Sequence, residues 1–287
     1  MNFSHFLRRL RRKLGQQQFV RKIGSTLGSV PDPDRWIFVT GCYNSGTTLL
    51  SRIIEFHPSV AGLPDEGALL TDLLPYPEQY GWPRMWYKCR GKLHLDKSLE
   101  PKQRAKTIKR QWSLWLSSNC DNYVEKSVSN VLRLPFLQHH FSPSFFIHII
   151  RNGYAVAEGI QRKARLQHWN NPEYQSQYPI ELCARQWIES NRVFKNHHDN
   201  LQRTLLIYYE DLTEHPLQTV EQVFDFLNLP TPDDFDVSRQ WSIHNKNRSI
   251  ENLNPESFRR LSASQIETIT EVANAELEKH GYERKSP

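Results

Sequence analysis

The sequence lacks the long apolar runs and the paired cysteines that mark several large classes of protein. No stretch of about 18 apolar residues occurs, so no membrane-spanning helix is expected. The N-terminus is basic without a continuous apolar stretch, which does not match a secretory signal peptide. The four cysteines are widely spaced and form no Cys-x-x-Cys pair. This usage fits a reducing compartment better than a disulfide scaffold, with two bridges as the open alternative. We therefore expect a cytoplasmic protein.

Clusters of metal-binding side chains and nucleic-acid motifs are also missing. The adjacent histidine pairs, His139–His140 and His197–His198, point in different directions on any helix or strand, so each is a poor chelate. No histidine stands at zinc spacing from a cysteine, and we expect no metal. The aromatic residues are not interleaved with the basic cluster and no DNA- or RNA-binding motif occurs, so nucleic acid is not an expected partner.

Positive charge is the clearest feature of the composition. The formal charge is +6, and seven arginines and lysines lie between Arg8 and Lys22. Such a balance favours anionic ligands, which include nucleotides, phosphorylated or sulfated substrates and anionic lipid. Apolar residues recur at helical spacing among these cations, at Phe3, Leu7, Leu10 and Leu14. We favour a solvated or packed basic tail over residues 1–30, with peripheral membrane contact as the alternative, and a single domain over residues 31–287.

Short apolar runs alternate with helical patterns over the rest of the chain. This alternation predicts an α/β fold, a P-loop-like three-layer sandwich whose mostly parallel central sheet carries helices on both faces. Ligands of such sheets bind beyond the carboxyl ends of the strands. Residues 71–121 are rich in Pro and Trp and predict an insertion over the site, either a substrate-facing wall or a packed loop. The predicted strands are Trp36–Thr40, Asn122–Glu125, Phe145–Ile150 and Thr204–Tyr209, and the predicted helices are Thr47–Phe56, Pro101–Trp115, Ala155–Leu166, Ile180–His197, Leu217–Leu227 and Ser264–His280.

A glycine-containing loop follows the first predicted strand and opens the first helix, over Gly41–Thr48. Glycine permits the tight bend and a close approach of ligand to backbone. The amides of Ser45 to Thr48 then point toward a phosphate from a helix N-terminus. The Gly-x-x-x-x-Gly spacing is shared with the Walker A loop, but Thr47 occupies the position of its lysine. A triphosphate-dependent kinase or ATPase is therefore disfavoured.

The loop resembles the 5′-phosphosulfate loop of the sulfotransferases that use PAPS (3′-phosphoadenosine 5′-phosphosulfate). Ser45–Leu50 followed by His57-Pro58 carries the likeness. Three further segments resemble the family in the same order: Phe146–Ile160, Tyr208–Leu212 and Leu261–Tyr282. The likeness is greatest to the bacterial, tyrosylprotein and carbohydrate types, which have a glutamate base. It implies sulfuryl transfer from PAPS to a hydroxyl or amine of a carbohydrate, a tyrosine, a lipid or a small molecule.

The resemblance also implies roles for individual residues. Glu66 is the expected base, with Asp65 as its local competitor, and Lys126 is expected near the transferred group. The implied nucleotide-binding residues are Asn44, Ser45, Gly46, Thr47, Thr48, Arg151, Tyr209, Lys246 and Arg248.

Two positions depart from the family pattern. Asn44 stands where many members have Lys or Arg, and Gly159 stands where many have Ser. Arg162, Lys163 or Arg165, about one helical turn further on, could compensate. The departures keep two alternatives open beside sulfuryl transfer: a nucleotide-binding but catalytically weakened member, and a P-loop nucleoside or nucleotide kinase.

Overall fold

The central sheet has five parallel strands in the order β2-β3-β1-β4-β5. A computed structural model describes residues 10–11, 13–95, 97–243 and 246–285, without the side chain of Lys246. A separate antiparallel hairpin pairs β6 with β7. The strands are β1 (Arg35–Gly41), β2 (Val60–Gly62), β3 (Asn122–Glu125), β4 (Ser144–Ile150), β5 (Thr204–Tyr208), β6 (Trp241–Ile243) and β7 (Lys246–Arg248).

Helices cover both faces of this sheet, which confirms the predicted fold class. Short 3-10 turns lie at Gly67–Leu70, Pro77–Tyr80, Arg90–Leu93, Val128–Arg133 and Leu166–His168. The α-helices are α1 (Gln18–Leu27), α2 (Thr47–Glu55), α3 (Trp86–Cys89), α4 (Pro101–Ser113), α5 (Leu134–His140), α6 (Gly153–Ala164), α7 (Ile180–His198), α8 (Tyr209–Glu214), α9 (Pro216–Phe226), α10 (Asn254–Phe258) and α11 (Ala263–Lys279).

The two faces of β1 build two separate apolar cores. Side chains alternate along a strand, so Trp36 and Phe38 enter one core while Ile37 and Val39 enter the other. Helices α4 to α7 and α11 close the first core, and α2, α8 and α9 close the second. Phe38 is fully buried and stacks on Phe146 of the neighbouring strand, with ring centroids 5.4 Å apart. This burial on both faces explains why β1 reads as a continuous apolar run.

The predicted elements are present, with ends that differ by one or two residues in most cases. Tyr209 was placed at the end of β5, but it begins α8. The strand β2 and the β6–β7 hairpin were not predicted. Each of these strands has only three residues, which is too short for an alternating pattern to stand out. The four cysteines are free thiols.

The proline- and tryptophan-rich segment 71–121 is largely core rather than an open wall. Trp82 and Trp86 are buried, and Trp82 stacks on Tyr178 at 6.0 Å and 10°. These aromatic rings are therefore not available to stack on a sugar. The backbone at Arg84, between them, has a positive φ of 58° and lies next to the phosphate-type loop.

The N-terminal segment packs on the domain from Leu10 onward. Helix α1 lies on α4, and a Cβ at Gly28 would stand 2.1 Å from the carbonyl oxygen of Arg110. Arg21 donates from Nη2 to the carbonyl oxygen of Leu69 at 2.7 Å. Phe3 and Leu7 lie outside the described residues. No helix in the described ranges is both long and apolar enough to cross a membrane.

Replacing Phe38 with Ala should destabilise the protein by about 3–5 kcal/mol, because it leaves a cavity in the first core, where Phe38 packs against Phe141 and Phe146. The matched control is Phe19→Ala, since Phe19 is 60% exposed on α1; its effect should stay within about 0.5 kcal/mol. Urea unfolding of both variants measures this difference. Equal effects of the two substitutions would contradict the placement of Phe38 in the core.

Candidate nucleotide and sulfuryl-transfer site

The loop between β1 and α2 is held close to its neighbours by two glycines. Gly41 has a φ of 152°, and a Cβ there would stand 2.5 Å from the carbonyl oxygen of Ile149 on β4. Gly46 has a φ of 95°, and its Cβ would stand 2.8 Å from Cδ2 of Tyr209. The first amides of α2 have no partner within the helix, so the loop directs a row of donors beyond the ends of the strands.

Several polar atoms around the loop are buried without a hydrogen-bond partner in the part of the chain that the structure describes. They are Oγ of Ser45, Nδ2 of Asn44 and Nη2 of Arg151. Burying a polar group without a partner is costly, and it costs more when the group carries charge. An anionic ligand at the loop would supply acceptors to all three.

Arg151 joins the end of β4 to this loop. Its Nη1 donates to the carbonyl oxygen of Asn44 at 2.8 Å, and its Nε donates to Oδ1 of Asn254 at 2.7 Å. Asn254 donates in turn to Oε1 of Glu210 at 2.6 Å. The guanidinium carbon lies 4.2 Å from the centre of the Tyr209 ring. Burial lowers the pKa of Arg151, so its charge is costly until an anion lies beside it.

Hydrogen bonds in this region also fix Tyr209, and they identify Asn254 as a site residue that the sequence analysis did not predict. The hydroxyl of Tyr209 donates to the carbonyl oxygen of Glu251 at 2.8 Å and accepts from the amide of Leu253 at 3.1 Å. Asn254 follows this turn and orients Arg151. No local pattern distinguishes Asn254 from the other asparagines of a polar loop.

Glu66 and Lys126 form an ion pair, with Nζ 2.7 Å from Oε1. Glu66 precedes the turn Gly67–Leu70, and the amide of Gly67 donates to Oε1 of Glu125 at 2.7 Å. Asn130 donates to the other oxygen of Glu125 at 2.6 Å. Burial raises the pKa of Glu125 to about 7. The buried Glu125 thus holds the Glu66 turn against the end of β3, where Lys126 begins.

Asp65, the carboxylate next to Glu66, has a different hydrogen-bond partner. Gln16 donates from Nε2 to Oδ2 of Asp65 at 3.2 Å, which directs Asp65 toward the N-terminal segment. Glu66 instead contacts Lys126. The geometry therefore favours Glu66 over Asp65 as the group beside the cation.

Two further cations, Arg84 and Lys163, belong to this region. Arg84 donates from Nη1 to Oδ1 of Asn44 at 3.4 Å. Lys163 is exposed at the surface of α6, and its partial desolvation, followed by the charges of Arg84, Arg162 and Arg151, lowers its pKa to about 7. Sequence reasoning named Lys163 as a compensating residue but missed Arg84, which stands 40 residues from Asn44 in a different segment.

The remaining predicted residues lie at the start of α2 and in β7. Thr47 is buried and Thr48 is partly exposed at the start of α2. Arg248 pairs with Glu251 at 3.7 Å and so borders the turn that binds Tyr209. The side chain of Lys246 lies outside the described residues, so its role stays a prediction.

Comparison with known proteins identifies one family. The sequence profile of the sulfotransferase family matches residues 35–233, which is more than half of the chain. A Caenorhabditis briggsae protein with the provisional name protein-tyrosine sulfotransferase is 28% identical over 238 residues, covering 81% of this chain and 76% of the relative. Protein-tyrosine sulfotransferase 1 of Danio rerio is 25% identical, covering 69% of this chain. This chain spans only about half of that relative, 54%.

Solved structures share the fold at lower identity. A sulfotransferase from Mycobacterium avium matches 96% of this chain and 84% of its own, with a TM-score of 0.60 at 14% identity. The sulfotransferase domain from the curacin biosynthetic pathway covers 87% and 98%, with a TM-score of 0.55 at 20% identity. A mouse sulfotransferase complexed with PAP covers 92% and 90%, with a TM-score of 0.50 at 11% identity.

Substituting Gly46 with Ala should destabilise the protein by about 1–3 kcal/mol, since a Cβ meets Tyr209 in a backbone conformation that favours glycine. Gly91→Ala is the matched control, because a Cβ at Gly91 would meet nothing within 4 Å. Urea unfolding midpoints at unchanged m-value compare the two variants. A neutral Gly46→Ala would show that the loop does not lie against Tyr209.

Proposed function

This chain belongs to the sulfotransferase family, and from that premise we propose that it transfers a sulfuryl group from PAPS to a hydroxyl or amine of an acceptor. The observation that carries the proposal is the Glu66–Lys126 pair at the end of β3, the strand next to β1, together with loop donors that are buried without an acceptor among the described residues. A base next to an anion-binding loop is the combination that sulfuryl transfer needs.

The chemistry of the side chains fits a nucleotide with phosphate groups at two places. Ser45, Thr47, Thr48 and the first amides of α2 would bind the 5′ end, which carries the sulfuryl group. Arg151, with its planar fork of donors, would bind the 3′-phosphate together with Lys163. Tyr209 would lie on the adenine side, and Lys246 and Arg248 would close the 3′ side. The mouse family member of similar fold was solved with PAP, the desulfated nucleotide, which supports this choice of donor.

The residues that act on the acceptor follow from the ion pair. Lys126 contacts Oε1 of Glu66, so we assign Oε2 as the atom that accepts the proton of the attacking hydroxyl. Lys126 would also stabilise the negative charge that builds on the leaving oxygen. PAPS, when bound, supplies the activated sulfur to which the acceptor oxygen forms its new bond.

Acceptor identity is proposed only as a class. The relatives are named protein-tyrosine sulfotransferases, so the tyrosine hydroxyl is one candidate beside carbohydrate, lipid and small alcohols. Asn44 and Gly159 favour one further candidate, a member that binds the nucleotide but transfers slowly. A nucleoside kinase would need a lysine where Thr47 stands.

Calorimetry with PAP and transfer of labelled sulfuryl from PAPS to a panel of tyrosine peptides, saccharides and alcohols test the proposal together. Glu66→Gln should lower turnover by about 10²–10⁴-fold, because the base is lost, while PAP affinity stays unchanged. Asp65→Asn is the matched control and should keep both properties.

The outcomes separate the candidates. No PAP binding at high micromolar concentration would reject the sulfotransferase proposal. Tight PAP binding without transfer to any acceptor would favour the weakened member. Normal turnover of Glu66→Gln would assign the base elsewhere, with Asp65 as the next residue to test.

We also propose that the N-terminal segment lies on an anionic membrane surface, within a cytoplasmic setting. Phe19, Ile23 and Leu27 follow one side of α1 and are 60%, 45% and 78% exposed. Six of the eleven exposed large apolar side chains in the described ranges fall between Leu10 and Val30. The first 31 residues contain seven arginines and lysines and no carboxylate. Apolar exposure with one sign of charge suits a bilayer of anionic lipid.

Co-sedimentation with vesicles measures this contact. The triple variant Phe19→Ser, Ile23→Ser and Leu27→Ser should bind phosphatidylserine-containing vesicles about tenfold less than the wild type, since each lost side chain removes apolar area from the interface. Leu217→Ser is the control, because Leu217 is 49% exposed away from the basic segment. If the triple variant binds vesicles as strongly as the wild type, the proposal is contradicted. It is also contradicted if the wild type is a dimer and the triple variant is a monomer, because the apolar side chains would then form a protein interface.

A further inference from the structure

We propose that Arg84 supplies the positive charge at the 5′ end of the bound nucleotide, in place of the loop cation that Asn44 replaces. The inference rests on the proposed function, because it assigns a residue to the 5′-phosphosulfate. It concerns a side chain from segment 71–121, outside every motif that marked the site.

Asn44 and Gly159 fit each other. A Cβ at Gly159 would stand 2.8 Å from Cγ of Asn44 and 3.0 Å from its Nδ2, so the Asn44 side chain lies directly on α6 at a position without a side chain. Contacts this short leave no room for a larger residue at 159 while Asn44 keeps its place. The two departures from the family pattern are therefore parts of one arrangement.

That arrangement brings the Asn44 amide to Arg84. The oxygen Oδ1 accepts from Nη1 of Arg84 at 3.4 Å, while Nδ2 is buried without a partner among the described residues. Asn44 itself has a positive φ of 65°, a conformation that asparagine tolerates better than a long cationic residue. The loop thus presents a neutral side chain, and the charge beside it comes from another part of the fold.

The backbone of Arg84 is held in place for this role. Its φ is 58°, and its amide donates to Oε1 of Glu78 at 3.3 Å. Glu78 is partly buried, and this burial together with the charge of Glu66 raises its pKa to about 7. The Arg84 guanidinium carbon lies 6.0 Å from the centre of the Tyr43 ring, which is part of the loop. Buried Trp82 and Trp86 on either side fix the segment.

The charge of Arg84 also acts on Lys163, whose pKa is lowered first of all by burial. Arg84 is the largest charge contribution to the lowered pKa of Lys163, ahead of Arg162 and Arg151. Glu158 is the opposing carboxylate in this group. Like charges held this close are stabilised when an anion binds between them.

We assign Arg84 to the 5′ end of the nucleotide because of the loop residue that it contacts. Arg84 contacts a side chain of the loop itself, at the N-terminus of α2, where the 5′ group is expected. Lys163 lies one turn beyond Gly159 on α6, and the proposed function assigns it with Arg151 to the 3′ side. Charge near the scissile bond would stabilise the leaving phosphate.

The test replaces Arg84 with Gln, which keeps a donor for Asn44 and removes the charge. Calorimetry with PAP, adenosine 5′-monophosphate and adenosine 3′-monophosphate then locates the effect. Arg84→Gln should weaken PAP and the 5′-monophosphate by about tenfold to a hundredfold, and it should not weaken the 3′-monophosphate. Arg90→Gln is the matched control, because Arg90 belongs to the same segment, is 47% exposed at its side chain and faces Glu189 at 3.6 Å. It should change none of the three affinities.

A pH series gives a readout that a purely structural role would not move. PAP affinity of the wild type should fall as the pH rises through about 7, because Lys163 loses its charge there. In Arg84→Gln this fall should shift to higher pH, since the largest repelling charge on Lys163 is gone, while its burial and the charges of Arg162, Arg151 and Glu158 remain. Arg84→Lys should recover most of the lost affinity.

The results that overturn the inference differ from those that reject the function. Wild-type PAP binding with an unchanged affinity of Arg84→Gln for the 5′-monophosphate overturns the role of Arg84 alone. Equal losses in the Gln and Lys variants would also overturn it, because shape rather than charge would then matter. A wild type that binds no PAP rejects the proposed function itself.

Discussion

The site depends on the hydrogen bond from Arg151 to the carbonyl oxygen of Asn44, which joins the ends of two neighbouring strands. β1 and β4 are paired in parallel as far as Gly41 and Ile149, so their carboxyl ends meet at one edge of the sheet. The Arg151 guanidinium, which links these two strand ends, also lies on the ring of Tyr209 and is oriented by Asn254. Through these contacts a single buried cation fixes the loop, the start of α8 and the polar turn before α10 in one geometry.

A second strand end carries, in a comparable way, the pair to which we assign the chemistry. β3 lies on the other side of β1, and its last residue, Glu125, is buried and binds the Gly67 amide. The residue that follows, Lys126, meets Glu66. A carboxylate without a catalytic role thus places the two groups to which we assign the chemistry. The sheet order puts this pair and Arg151 on opposite sides of the loop.

Charge around the loop is distributed over several segments rather than held in one motif. Arg84 comes from an aromatic insertion, Arg151 from a strand end and Lys163 from a helix. Membership of the sulfotransferase family explains the loop and the strand ends. The neutral Asn44 and the absent side chain at Gly159 are explained by their mutual contact and by the nearby Arg84. The site keeps cationic side chains around the loop although the loop residue is neutral.

Local patterns in the sequence determined the strands, the main helices, the glycine loop and the motif residues. Apolar runs and helical periodicity act over a few residues, and a strand buried on both faces is mostly apolar. The three-residue strands β2, β6 and β7 carry too little pattern to be predicted. Only the tertiary structure decided that Asn44 touches Gly159, that Arg84 reaches the loop across 40 residues and that Lys126 meets Glu66. These contacts join segments that are distant in the chain. The position of one side chain there depends on the size of another, and a local sequence pattern contains no information about that distant neighbour.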